Sequence, residues 1–252
     1  MPRMVLDGPR RLRLSEQPSR ELRPLPTAER PERALFVSLA AVALQAVPDA
    51  EIKLGDAVSV HGLGAIGLLT IHMCRLEGIQ NVVGIDPDPH RRELAAGFGA
   101  TSVLDPNGDS PLGLRIRALN EGRGMDVAIE VSGSYGALQG ALAAAGLGGT
   151  VLAAGFYQDG AMSVRLGEEF HHNRSSMIAS VGAWGAPYRH APLWNRRRML
   201  DTATRLLSTG RASVAGLLGR RFPFAEASAA YRWLDEHPQE SVKVALVYGG
   251  DR

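Results

Sequence analysis

Ala57-Val58-Ser59-Val60-His61-Gly62-Leu63-Gly64-Ala65-Ile66-Gly67 opens a stretch that closes, after an apolar helical run, on Asn81-Val82-Val83-Gly84-Ile85-Asp86. Ala57 to Val60 reads as a short strand, and Gly62, Gly64 and Gly67 stand as G-x-G-x-x-G. From Ala65 to Glu77 the chain is apolar on almost every face, the pattern of a helix buried against a parallel sheet. Asp86 ends a second strand, 19 residues beyond Gly67. Strand, glycine turn, helix, strand and terminal acid in this register have dinucleotide spacing. Gly62 permits the tight turn, Gly64 leaves room for a pyrophosphate against backbone, and Gly67 lets helix and strand pack closely. The helix start offers unpaired N–H groups and a positive dipole end to the phosphates. Asp86 can accept from both hydroxyls of an unphosphorylated ribose and repels a 2′-phosphate, which predicts NAD over NADP.

Composition sets the bounds. The chain has 252 residues, enough for one large domain with ample core. Its 28 basic and 26 acidic residues leave a net charge of +2, which predicts no nucleic-acid or membrane field. Cys74 is the single cysteine and lies inside the apolar helix, so neither a disulfide framework nor a thiolate zinc cluster is expected. No run is long and apolar enough to span a membrane, and the first residues lack the apolar core of a signal peptide. The expected location is cytoplasmic.

Outward from the glycine motif, residues 4–14 read as a hairpin around Asp7 to Arg10, and Ser15 to Pro31 as a proline-rich linker. A helix with Leu35, Leu39, Val42 and Ala46 at helical spacing follows and is expected to stop at Pro48. Beyond Asp86 the units alternate. Helix 89–98, strand 102–104, helix 112–120, strand 125–132, helix 135–145, strand 149–154, a short helix near 168–174 and strand 177–181 follow in turn. The fold class is therefore α/β, a Rossmann doubly wound parallel six-stranded sheet. An irregular stretch, 182–194, precedes a helix capped by Asn195 and ended by Gly210. A last helix, with Phe224, Ala227, Tyr231 and Leu234 on one side, leads to a closing strand at 242–248. Arg196-Arg197-Arg198 reads as a solvated helix face.

These residues resemble the medium-chain dehydrogenase/reductases of the zinc-type alcohol dehydrogenase kind. The likeness is carried by Gly55 to Leu68, Asp86 with Arg91 and Arg92, Phe98-Gly99-Ala100, Asp126-Val127 to Gly133, and Gly148 to Gly155. It continues in Arg221 to Ala227, Ala230-Tyr231 and Lys243 to Leu246. The resemblance implies a nucleotide-binding domain at 34–210, flanked by remnants of a catalytic domain at 1–33 (hairpin and linker) and 211–252 (helix and strand). It further implies that Leu63 to Ile66 offer backbone to the pyrophosphate and that Arg91 lies beside the adenine. Ser132, Gly133, Gly155 and Phe156 would border the nicotinamide. It also implies a homodimer paired through the edge strand at 177–181.

The departure from the family matters as much. There a barrel-like catalytic domain, carrying the zinc ligands, lies between the opening hairpin and the hinge helix; here the chain passes from Leu14 to Ala34 through the linker. The seven histidines offer no cluster, and His171 and His172 point about 100° apart on a helix, so no zinc is expected. Hydride transfer from an alcohol still requires a group to take the hydroxyl proton. Tyr157, just past the fifth strand, and His171 or His172, before the sixth, are the candidates. Three readings stand: a zinc-independent NAD(H) oxidoreductase acting on a small alcohol or carbonyl, a catalytically silent NAD-binding subunit or sensor, and an S-adenosylmethionine-dependent methyltransferase.

Overall fold

The computed structural model describes residues 31–158, 160–181 and 193–248, together with the backbone of 2–6 and 12–16. The linker residues 17–30 and most of the irregular stretch, 182–192, lie outside the described residues. The chain divides into two compact units, one spanning Glu32–Ser213 and the other taking in both ends of the chain, through residue 31 and from Val214 onward.

The larger unit holds one sheet of six strands, β3 (Ala57–His61), β4 (Asn81–Ile85), β5 (Ser102–Leu104), β6 (Met125–Glu130), β7 (Ala145–Ala153) and β8 (Ser176–Ala179). All pairings are parallel, in the order β5-β4-β3-β6-β7-β8. Every residue of β3 is buried, as its near-continuous apolar run demands of a central strand covered on both faces. Asp126 accepts the Ala57 N–H at 2.8 Å and so anchors the start of β3 to β6. Helices α2 (Ala65–Leu76), α3 (Pro89–Gly97), α4 (Leu112–Ala118) and α5 (Tyr135–Ala144) fill the crossovers. Their starts follow the capping residues. Asp88 Oδ1 accepts from the His90 N–H at 2.9 Å with Pro89 at the first helical position, and Ser134 Oγ accepts from Ala137 N–H at 3.4 Å. Under β6 and β7, Ile116, Met125, Ala128, Leu142 and Val151 form a fully buried core. Helix α6 (Arg196–Ser208), capped by Asn195, completes this unit and buries Met199, Leu200, Ala203 and Leu207 while the three arginines stay outside.

In the smaller unit β1 (Pro2–Leu6) and β2 (Leu12–Glu16) form an antiparallel hairpin with Leu6 opposite Leu12. Separately, β9 (Leu218–Pro223) and β10 (Lys243–Val247) pair in parallel around α7 (Ala227–Glu236).

Three expectations shift, and one strand goes unforeseen. The second hairpin strand reaches Glu16, two residues into the stretch read as linker. Helix α1 (Val37–Asp49) runs through Pro48: a proline in the last turn forfeits one hydrogen bond, while Ala43, Ala46 and Val47 stay buried. Strand β7 begins at Ala145, four residues early. Gly146 and Gly149 weaken the strand signal, yet a Cβ there would meet the Arg123 carbonyl at 2.6 Å and the Met125 carbonyl at 2.9 Å, so close backbone approach to β6 needs glycine. Strand β9 has no alternating signal, because Gly219, Arg220 and Arg221 interrupt its apolar residues.

His61 closes β3 at 1 % exposure, its Nε2 beside Ser59 Oγ at 3.1 Å. Burial lowers its pKa from 6.5 to about 3. The unfolded chain therefore protonates His61 below its ordinary value while the folded chain does not, so stability present at neutral pH is lost as pH falls toward the folded pKa. Between about pH 6 and pH 4 the wild type should lose about 1.4 kcal/mol per pH unit more than His61→Gln, read from urea unfolding at each pH.

Candidate nucleotide-binding crevice

The strand order reverses at β3, so β4 and β6 flank it and their chains leave in opposite directions above its carboxyl end. That is where α/β sheets open a crevice. Gly62 turns the chain there with φ +94°, and its N–H donates to the Ile85 carbonyl at 2.8 Å. Gly67 comes so close that a Cβ would stand 1.8 Å from the Gly62 carbonyl oxygen. Gly64 is different: a Cβ on it would meet nothing within 4 Å. It caps α2 without a side-chain hydrogen bond, and the first intrahelical bond recorded at this end is Leu68 N–H to Gly64 carbonyl at 2.9 Å. The N–H groups of Ala65, Ile66 and Gly67 therefore point out of the helix start beside open space.

Leu63 departs from expectation. Its N–H donates to Asp86 Oδ2 at 2.7 Å and its side chain is fully buried against Gly84, so it serves the acid and not a phosphate. Asp86 itself is 4 % exposed at the end of β4, and its Oδ1 accepts the Asp88 N–H at 2.8 Å. Each carboxylate oxygen thus holds one backbone donor and retains acceptor capacity for another. Arg91 reaches toward both acids, 3.9 Å from Asp86 and 3.5 Å from Asp88. Arg92 turns away to Asp105 at 3.3 Å and to the Asp86 and Pro87 carbonyls.

On the other side of β3, the ends of β6 and β7 meet over Glu130, a residue the sequence reading passed over. It is wholly buried, and its Oε1 accepts from Ser132 N–H at 2.6 Å, from the Ser132 hydroxyl, and from Gly133 N–H at 3.1 Å. Its Oε2 accepts from the Tyr157 hydroxyl. Gly155 leaves room for this carboxylate, since a Cβ there would lie 2.5 Å from Oε2 and 2.3 Å from Gly133 N. Ser132 and Phe156 face outward, Phe156 at 83 % exposure, and Gly133 and Gly155 form the wall between them. An acid closing an apolar strand two residues before Ser132-Gly133 was the available signal for Glu130.

The two proposed proton-transfer residues fare differently. Tyr157 is at the crevice end of the sheet, with its ring 5.0 Å from that of Tyr135. Burial first, then the hydrogen bond and charge of Glu130, push its ionisation well above the ordinary phenol range, so it keeps its proton and does not act as a base. His171 is at the opposite end. Two residues on, Asn173 accepts the Gly148 N–H at 2.7 Å and donates to the Ala145 carbonyl at 3.0 Å, both at the amino end of β7. Gly148 and Gly155 are separated by about 20 Å of strand. The crossover from β7 returns over α5 to the bottom of the sheet before β8 starts, and it carries His171 and His172 away from the rim. Both are exposed, and their rings meet edge to face with centroids 5.6 Å apart.

Among the described residues no three His, Cys, Asp or Glu side chains converge. Cys74 is buried in α2, where burial pushes its thiol up to about 12. No helix among the described residues is long and apolar enough to cross a membrane.

A six-stranded parallel sheet with a glycine turn, an open helix start and a terminal acid defines a Rossmann-type α/β domain. The family model described as zinc-binding dehydrogenase matches residues 65–192, about half of the chain, and the chain belongs to that family. Over 229 residues it is 34 % identical to D-guloside 3-dehydrogenase of Escherichia coli K12, covering 90 % of this chain and 65 % of that protein. It is 32 % identical over 130 residues to (R,R)-butanediol dehydrogenase of Bacillus subtilis, covering 52 % of this chain and 37 % of that one. Among solved structures, alcohol dehydrogenase TADH from Thermus sp. ATN1 superposes with a TM-score of 0.75 at 26 % identity, covering 89 % of this chain and 61 % of that chain. The chain thus spans just under two thirds of the curated relative it matches over most of its length.

Two glycine substitutions separate architecture from binding. Gly67→Ala drives a Cβ into backbone and should cost at least about 3 kcal/mol of stability. Gly64→Ala should leave the melting temperature within a few degrees and yet weaken NADH binding more than about tenfold, measured by calorimetry.

Proposed function

We propose that the chain is an NAD(H)-dependent, zinc-independent oxidoreductase acting on a small alcohol or carbonyl. The observation that carries this reading is the juxtaposition of open space at Gly64, the N–H groups starting α2, and the Asp86 carboxylate ending the adjacent strand. Ala65, Ile66 and Gly67 would receive the pyrophosphate, Asp86 the adenosine ribose, and Arg91 would lie beside the adenine. Ser132, Gly133, Gly155 and Phe156 would border the nicotinamide. When bound, the dinucleotide supplies a hydride acceptor or donor; the residues of this chain hold and orient it. The names of the relatives, which include a guloside and a butanediol dehydrogenase, support a hydroxyl-bearing substrate. On the same reading, residues 1–33 and 211–252 are remnants of a catalytic domain.

Titration with NADH and NADPH tests the cofactor. NADH should bind at least about tenfold more tightly, and Asp86→Ser should shrink that margin by weakening NADH. Equal affinity for both would overturn the preference, and retention of S-adenosylmethionine with no NADH binding would favour a methyltransferase. A second reading has an observation behind it. His171 is remote from the rim and Tyr157 holds its proton against Glu130, so a silent NAD-binding subunit fits the same site. Absorbance at 340 nm (about the NADH maximum) with polyols and NAD separates the two, because binding without turnover marks the silent form.

We also propose a homodimer joined at β8. This strand is an outer member of the sheet; Met177 within it is 45 % exposed, and Val181, two residues past its end, is 52 % exposed. Pairing with its twin about a two-fold axis would extend the sheet and remove an open edge. Light scattering behind size exclusion should return twice the chain mass, and Met177→Lys should return the monomer.

A further inference from the structure

Resting on the dinucleotide-binding reading above, we infer that Glu130 is a positioning residue that fixes the Ser132 hydroxyl as a hydrogen-bond acceptor, so that Ser132 selects a ribose hydroxyl on the nicotinamide side of the crevice. Serine hydroxyls ordinarily rotate and can donate to a phosphate or accept from a hydroxyl. Here rotation is removed. The Ser132 proton goes to Glu130 Oε1, while one Oγ lone pair takes the Ser134 N–H at 3.1 Å. The second lone pair is what remains, on a side chain that is exposed while the acid behind it is wholly buried.

Glu130 has no freedom to swing away from the Ser132 proton. It ends β6 between β3 and β7, facing His61 on one side and Ala153 on the other, and its carbonyl accepts from Ala154 and Gly155 N–H at 2.8 and 3.0 Å. Ser132 N–H, Gly133 N–H and the Tyr157 hydroxyl hold its side chain from three further directions. Ser132 in turn lies against the glycine turn: a Cβ on Gly62 would stand 2.7 Å from the Ser132 Cβ. A ligand that passes from the start of α2 toward β6 therefore crosses Ser132 directly after its phosphates. A phosphate oxygen placed there would meet a lone pair, and a ribose hydroxyl would donate to it. The arrangement rewards one ligand group and repels its neighbour.

The test is calorimetric titration of wild type, Ser132→Ala, Glu130→Gln and the double variant with NADH, and with AMP as a probe of the adenosine half alone. Ser132→Ala and Glu130→Gln should each weaken NADH about five- to tenfold and leave AMP within about twofold. The double variant should be no weaker than Ser132→Ala, because Glu130 acts through that hydroxyl. NADH affinity unchanged by Ser132→Ala overturns the inference, as do additive losses in the double variant or an equal loss of AMP. If Glu130→Gln does not fold, Ser132→Ala alone decides by the same criterion. Wild type that binds neither AMP nor NADH refutes the nucleotide reading and this inference together, whereas wild type that binds both with Ser132→Ala unaltered refutes the inference only.

Discussion

Nothing can stand between Gly67 and the Gly62 carbonyl. A methyl group on Gly67 would lie 1.8 Å from that oxygen, inside any permissible contact, so the first turn of α2 rests directly on the chain leaving β3. This contact aims the helix axis at the carboxyl end of the central strand. The unpaired N–H groups of α2 consequently face the one place where the sheet opens, and the dipole of the whole helix acts there. Move the helix outward by a side chain and the fold could survive, but the N–H groups would no longer share a crevice with Asp86.

Two buried carboxylates brace the turns on either side of that contact. Asp86, from β4, takes the N–H groups of Leu63 and Asp88; Glu130, from β6, takes those of Ser132 and Gly133. A crevice needs backbone that leaves its strands abruptly, and such backbone has N–H groups with no ladder partner. Carboxylates that accept several donors satisfy them without filling the opening, as a larger apolar residue would. The same economy explains why Gly155 faces Glu130: the acid occupies the space where a side chain would otherwise be.

The sheet was legible in the sequence because its signals are local. Buried parallel strands show as apolar runs, and Gly62, Gly64, Gly67 and Asp86 hold positions that spacing alone identifies. Legibility fell where long-range contact decides. Leu63 reads as a phosphate-binding position by its place in the motif, yet its N–H is taken by an acid 23 residues away. Glu130 has the look of an ordinary strand end until β7 closes over it. His171 precedes a strand in sequence, which says nothing of which end of that strand it meets. Parallel connections must return to the bottom of the sheet, so residues just before a strand belong to the end opposite the crevice. Applied to the chain, that rule excludes His171 without coordinates.

Proton accounting at the rim sharpens what chemistry this chain can carry. An alcohol that gives up a hydride must also lose its hydroxyl proton, and the acceptor has to be in reach with capacity to spare. Tyr157 cannot take it, since it holds its own proton toward Glu130. The Ser132 proton is committed to the same carboxylate, and the oxygens of Glu130 already receive four donors. The described residues at the end of β6 and β7 are thus a closed set of donors around one acid, suited to holding a ligand in a fixed orientation. Proton removal, where it occurs, must come from a group outside this set, and that requirement separates the binding half of the proposed activity from its chemical half.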